Sequence, residues 1–438
     1  MIADRAEFST EVVFADAAPS LKGAVEKVLG HFGGPAALLK KSRNVYIKVN
    51  AVDAKPFTFT DPAVLAETVK AFKAGGAKDV YVIENCTQGN FTRLVFAASG
   101  LLEACKQTGA IPVYLDETKK VPIFLNGLSN FADISAFVHQ HLIRRRDENL
   151  YVSLPKLKTH SMSTVTLSVK NQFGFIHQES RIQDHNFRLH QKFADIYGVL
   201  RPDFALVDGL YATTHGHYPA TSNKDQCVIK CDTIFGGKDP LAVDVAGAAF
   251  MGFEIAEIPH LVHCAEMGLG ESDIEKIVIV GKDLFEARKM KLTPELLDRF
   301  PEDVKIIRGR DRCCTEGCRR NTETLLEVIF SDHGGKGGFT IIMGSGIPED
   351  EIARITGRVH VAGSCAVSEW GPALVERLGK SHVTQSPGCN DLSLSIYGLC
   401  RHMGVHPLKL SSYPLLGSMA ALATAKIKGS RAIIPPLI

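Results

Sequence analysis

Asn44-Val45-Tyr46-Ile47-Lys48-Val49-Asn50, then Asp61-Pro62, then Asp79-Val80-Tyr81-Val82-Ile83-Glu84-Asn85-Cys86 are the segments that decide the fold class. The first is short, apolar and β-branched, the pattern of a buried strand. Asp61 supplies a helix N-cap and Pro62 the first helical position, and Val64, Leu65 and Val69 recur at helical spacing. Ala74-Gly75-Gly76-Ala77 stops the helix, and Asp79–Ile83 reads as the next strand. Strand, helix, glycine stop and strand make a parallel βαβ unit. Ligands of such sheets sit outside the carboxyl ends of the strands. Lys48, Asn50, Glu84 and Asn85 are therefore expected around one crevice, with Cys86 beside it.

A second region of the same kind runs from Leu150 to Gly252, with strands at Tyr151–Leu154 and Asp203–Gly209. Between them lie Lys156-Leu157-Lys158-Thr159-His160 and a strand-like run from Thr166 to Gly174 that contains Lys170-Asn171. Asp239-Pro240 caps and opens another helix leading to Asp244. Glu266 to Arg312 is more polar and reads as a helical connection. After it, strands at Phe339–Met343, Val359–Ala362 and His382–Thr384 each end in a small-residue loop. The expected architecture is α/β: open, mostly parallel sheets flanked by helices over residues 1–290, then a second, smaller α/β domain carrying cysteine loops over 310–438.

The 438 residues, 45% hydrophobic and 22% charged, are those of an ordinary globular protein. Net charge is +2, with no basic stripe beyond Arg144–Arg146, so no nucleic-acid partner is expected. Met1-Ile2-Ala3-Asp4 does not open a signal peptide, and no segment is apolar for the ~18 residues that a membrane span requires. The expectation is a cytoplasmic chain with no membrane partner, with a homo-oligomer left open.

Eleven cysteines are many for a reducing compartment, where thiols serve as ligands, catalytic groups or small buried hydrophobes. Cys313, Cys314 and Cys318 share one glycine-containing stretch beside Arg310, Arg312, Arg319 and Arg320, a cationic setting that favours thiolates. Cys365 and Cys389 each follow a strand directly. Three loops at one sheet edge can supply the four thiolates of an iron–sulfur cluster. The expected ligands are Cys314, Cys318, Cys365 and Cys389, with Cys313 as alternate for Cys314, and a [4Fe–4S] cluster as cofactor. Zinc suits four thiolates equally, and five separately buried cysteines are the plain alternative. Cys105, Cys227, Cys231, Cys264 and Cys400 read as packing residues.

Lys156, Lys158, His160 and Lys170 gather three cations and an imidazole near strand ends, which suits a carboxylate or phosphate. Surface lysines beside a satisfied histidine are the competing reading, but a lysine inside an apolar run needs a reason. Lys48, Asn50, Lys156, Lys158 and Asn171 are the candidate substrate-binding residues. His160, Lys170 and Asp208 are the candidates for catalysis, His160 moving protons. Asp208 ends a strand, whereas Asp239 is as well explained as a cap. His185 and His190 fall on different sides of a helix, and His215-Gly216-His217 reads as a solvated loop. Gly334-Gly335-Lys336-Gly337-Gly338 precedes a strand, the wrong order for a phosphate-binding loop, and reads as a turn or lid.

In order and spacing, Ile47–Asn50, Leu154–His160, Leu167–Gly174, Val207–Gly209 and Asp239–Asp244 resemble the successive motifs of the DUF362 family over about residues 40–255. The resemblance implies an α/β fold and an activity that is not settled, with iron–sulfur segments in some members. The Cys-x-x-Cys-x-x-Cys run of a ferredoxin is missing here. His160 and Lys170, followed by glycine, are also similar to the pattern of nickel-pincer lactate racemases, without the glycine run that precedes the lysine there. The functional expectation is an oxygen-sensitive redox or Lewis-acid enzyme acting on a small anionic substrate, with an electron donor such as a ferredoxin as a candidate partner. A non-catalytic iron–sulfur electron carrier or accessory protein and a cluster-free, racemase-like isomerase are the alternatives.

Overall fold

The computed structural model describes residues 10–183, 188–410 and 413–432. In chain order the strands are β1 (Glu11–Asp16), β2 (Val45–Val49), β3 (Val80–Glu84), β4 (Ile111–Tyr114), β5 (Lys120–Leu125), β6 (Asn130–Ser135), β7 (Leu150–Leu154) and β8 (Lys156–His160). They continue with β9 (Thr164–Thr166), β10 (Phe204–Thr213), β11 (Val228–Gly237), β12 (Val278–Val280), β13 (Lys305–Arg308), β14 (Phe339–Met343), β15 (Arg358–Ala362) and β16 (Val383–Ser386).

The large sheet runs β12-β1-β11-β10-β7-β2-β3-β4, with β8 and β9 branching from β10. Its centre, from β10 to β4, is parallel; at one side β11 runs the other way, and β1 and β12 beyond it return to the direction of the centre. From β2 the chain proceeds to β3 and β4 on one side and to β7 and β10 on the other. The topological switch point thus lies between β2 and β7, the place beyond whose strand ends sheets of this kind bind ligands. Along β2, Val45, Ile47 and Val49 join one core and Tyr46 the core on the opposite face, so both faces are covered. The expected helix is Pro62–Ala74. Asp61 accepts the Ala63 amide at 2.8 Å, and Val64, Leu65, Val69 and Phe72 are buried.

The small sheet, β13-β14-β15-β16, is wholly parallel and has its own core on each face. It is tied to loops that follow the carboxyl ends of the large sheet. Asp332 accepts Lys55 Nζ at 2.8 Å and the amides of Thr221 and Ser222 at 2.9 Å, and the Leu392 amide donates to Gln88 Oε1 at 3.4 Å. Arg320 pairs with Glu295. The cysteine-bearing unit therefore roofs the crevice edge.

Two local expectations change. Thr166–Gly174 is not a strand: after β9 it forms a helical turn, Ser168–Asn171. Asp244 accepts the amides of Ser168 at 2.7 Å and Val169 at 2.6 Å, fixing a turn that an apolar run does not announce. Glu266–Arg312 is no helical connection, since it gives an edge strand to each sheet, β12 beside β1 and β13 beside β14. Among the described residues no helix is long and apolar enough to cross a membrane.

Candidate functional site

At the switch point the expected lysines are present, but two already have partners. Lys48 is buried in an ion pair with Glu84, which also accepts the amides of Ala51 at 2.7 Å and Asn85 at 2.8 Å. Burial lowers the Lys48 pKa and Glu84 opposes that shift. Lys156 Nζ is 3.0 Å from Asp208 Oδ2, which also takes the Asp61 amide at 2.7 Å. Asn171 donates to Lys48 O at 3.0 Å and Ser153 Oγ at 3.2 Å, and accepts from Asn50 Nδ2 at 3.2 Å. It thereby ties β2, β7 and the Ser168 turn together. A Cβ on Gly174 would lie 2.8 Å from Glu84 Oε1 and 2.9 Å from Lys48 Nζ, so only glycine lets this backbone cover the ion pair. These residues form the floor of the crevice.

Around the switch point, Lys158, Lys170 and Arg181 lack a carboxylate at ion-pair distance among the described residues. Lys158 is buried and donates to Thr58 O; burial, then neighbouring Lys170 and Lys156, hold its pKa well below the ordinary value. Lys170 is partly exposed, and its Nζ lies 5.5 Å from the centre of the Phe193 ring with no hydrogen bond among the described residues. Burial of its ammonium, with Arg181 and Lys48 nearby, pulls its pKa down to about 7. Arg181, which the sequence reading missed, donates Nη2–H to Cys86 O at 2.7 Å while its buried Nε has no partner. Nothing in the polar run around Arg181 distinguishes it from a surface arginine. Asn50 Oδ1, Asn85 Oδ1 and both ring nitrogens of His177 are likewise buried without a protein partner.

His160 is buried, accepts the Met162 amide at Nδ1 and stacks on His217 at 3.7 Å between ring centres. The loop read as solvated is therefore packed: His217 covers His160, and the Gly216 amide donates to Thr159 Oγ1 at 3.2 Å. His185 lies outside the described residues. His190 stacks on buried His260 at 5.8 Å. Burial lowers the His190 pKa; Glu316 of the cysteine loop opposes that shift, and Lys170 adds to it. His190 thus stands between crevice and cysteines. The Gly334 run is the helix-to-β14 connection, with Gly334 as a left-handed cap.

All five expected cysteines come together beyond the carboxyl ends of the small sheet. Cys313 and Cys314 follow β13, Cys318 is in the turn that opens the helix Arg320–His333, Cys365 is in the first turn after β15, and Cys389 follows β16. Burial, then the proximity of Cys314, Cys389, Cys365 and Cys313, push the Cys318 thiol up to about 12. Arg312 donates Nε–H to Cys314 Sγ at 3.2 Å and also faces Cys365 and Cys389. The Ser364 amide donates to Gly388 O at 2.8 Å and the Gly388 amide to Ser364 Oγ at 2.7 Å, locking two cysteine loops together. Asn390 (φ 70°) accepts from Ser386 Oγ at 2.7 Å and donates to Thr322 Oγ1 at 3.2 Å, pinning the Cys389 loop to the helix that follows Cys318. Gly363 (φ 85°) is the clearest local requirement, because a Cβ there would overlap Cys318 Sγ.

The donor set and its arginine neighbour suit a thiolate-bound group. As the thiols stand, no three metal-ligating side chains among the described residues converge tightly enough to hold an ion. Cys105, Cys264 and Cys400 pack in helices as expected, whereas Cys227 ends a helical turn and Cys231 lies in β11. Cys86 is buried and its pKa is raised well above the ordinary value by burial.

A family model described as a domain of unknown function, DUF362, matches residues 45–249, the span from β2 to the helix after β11. Residues 45–249 are similar to the DUF362 domain. The crevice residues from Lys48 to Asp244 lie inside that span, and the cysteine loops lie outside it. A relative, the thylakoid-associated protein sll1697 of Synechocystis sp., is 24% identical over 271 residues, covering 59% of this chain and 78% of that protein.

Proposed function

We propose that this protein holds a [4Fe–4S] cluster on Cys314, Cys318, Cys365 and Cys389, with Cys313 as alternate for Cys314, and binds a small carboxylate or phosphate in the crevice beneath. The observation that carries the reading is the convergence of four cysteines from three separate loops on buried Cys318, in a unit fastened to the loops of the large sheet. A bound cluster supplies an electron or a Lewis-acid iron. The chain's own residues do the rest. Lys170 and Arg181, the cations facing the crevice without a carboxylate, would take the anion. Lys48, Lys156, Asn50 and Asn171 hold the floor rigid through their mutual contacts, and His160, backed by His217, is placed to hold or release a proton.

A second reading, a non-catalytic electron carrier, is favoured by the exposure of Cys365, which brings the cysteine set to the surface where a donor such as a ferredoxin can reach it. The thylakoid association in the relative's name adds a membrane surface to the partners worth testing. Anaerobic reconstitution followed by iron, sulfide and zinc analysis tests the cofactor. A protein that stays colourless and metal-free sinks both readings, and zinc without sulfide replaces the cluster with a zinc centre. Alanine at Lys170 and Arg181 separates the two: cluster content is unchanged in either case, and only an enzyme loses anion binding.

A further inference from the structure

The helix Leu415–Ile427 breaks the rule that an apolar helix is buried. Among its described residues only Ala425 is fully enclosed, and its inner face of Ala421, Leu422 and Ala425 rests on Phe91 and Leu94. The outer face carries Leu415, Leu416, Met419 and Ile427 at 54, 83, 58 and 87% exposure. With Ala420 and Ala423 they recur at helical spacing and form one stripe. Along the segment that carries the stripe the charge has one sign, and of its cations Arg431 pairs with Glu179 at 3.7 Å and Lys426 Nζ donates to Ala432 O at 2.6 Å. From Leu392 to Ile438 the sequence holds Arg401, Lys409, Lys426, Lys428 and Arg431 and no aspartate or glutamate. Lys409, Lys426 and Lys428 are exposed, and Lys428 has no carboxylate partner among the described residues.

Thirteen helical residues span ~20 Å, and a stripe ~10 Å wide offers ~200 Å², well short of the ~800 Å² that each partner contributes to a stable protein interface. A bilayer asks for no such area. It accepts an apolar stripe to a depth of ~5–10 Å and adds attraction between lysines and anionic headgroups.

We propose that the outer face of Leu415–Ile427 seats the protein on an anionic phospholipid surface, with Leu415, Leu416, Met419 and Ile427 entering the headgroup boundary and Lys426 and Lys428 meeting the lipid charge. This is peripheral attachment and needs no spanning helix. It stands independently of the cluster and of the crevice.

The test uses the full-length protein, sedimented with vesicles of phosphatidylcholine alone or of phosphatidylcholine and phosphatidylglycerol in equal parts. Binding is expected to the mixed vesicles only and weakens as salt is raised. Leu416→Ser with Met419→Ser abolishes it, and Lys426→Gln and Lys428→Gln each weaken it roughly fivefold. Unchanged thermal melts establish that these surface variants fold. Absence of sedimentation, or equal binding to both vesicle types, overturns the proposal. A concentration-dependent dimer in light scattering that Leu416→Ser dissolves, without vesicle binding, assigns the stripe to a second copy instead.

Discussion

The carboxyl edge of the large sheet and that of the small sheet finish their polar groups in opposite ways. In the large sheet the strand ends are nearly settled: Lys48 rests on Glu84, Lys156 on Asp208, and Asn171 bridges β2 and β7. In the small sheet the thiols have neighbours of their own kind, and Arg312 donates to Cys314. A buried ion pair is rigid because breaking it strands a charge. The edge of the large sheet is therefore preorganised by its buried ion pairs.

The largest expected effect breaks the second edge. Cys389→Ala should reduce iron and sulfide in the reconstituted protein to near zero, while Cys227→Ala leaves them intact. Equal loading of both variants would remove Cys389 from the ligand set. Gly363→Ala should produce a milder loss, since its methyl displaces the Cys318 thiol. Next, Lys48→Ala should cost about 3–5 kcal/mol in urea unfolding, because Glu84 stays buried without its cation. Lys170→Ala should cost less than about 1 kcal/mol, having no ion pair to break. If the two cost the same, the contrast between a settled floor and a free cation fails.

Binding sharpens that contrast. Lys170 carries its charge below a pKa of about 7, so the affinity of oxalate, whose own charge is constant there, should fall roughly tenfold from pH 6 to 8 in calorimetry. Lys170→Ala should flatten the profile. The smallest effect is at the fastening. Burial would raise the Asp332 pKa, but Lys55 and the Ser222 and Thr221 amides bring it down to about 2. Its contribution is then complete above the ordinary carboxylate value and is lost as pH falls through about 2. Asp332→Asn should remove about 1–2 kcal/mol at neutral pH and less in acid, as read from thermal melts.

Much of this was legible before any coordinates. β2, its following helix and β3 announced themselves through a short β-branched run, an Asp-Pro cap and a glycine stop, all local signals. Cys365 and Cys389 were legible because each follows a strand predicted from local pattern, whereas β13, which leads to Cys313, Cys314 and Cys318, lies in a polar stretch that reads as a helical connection. The Ser168 turn was not legible, because the carboxylate that fixes it comes from Asp244, far along the chain. The pairing of Lys48 with Glu84 and of Lys156 with Asp208 was equally hidden, since sequence locates charges near an edge without saying which neutralise one another. Arg181 was invisible for the converse reason: its surroundings are polar, and only the fold buries it.

The order of the two sheets along the chain has a consequence for synthesis. Every strand of the large sheet lies before residue 281, and every cysteine of the convergent set lies after residue 312. Domains fold as units, the N-terminal one first as the chain emerges. The settled floor can thus be complete while the cysteine loops are still inside the ribosome. The helix Leu415–Ile427, which returns to Phe91 and Leu94, arrives last and straps the late unit to the early one.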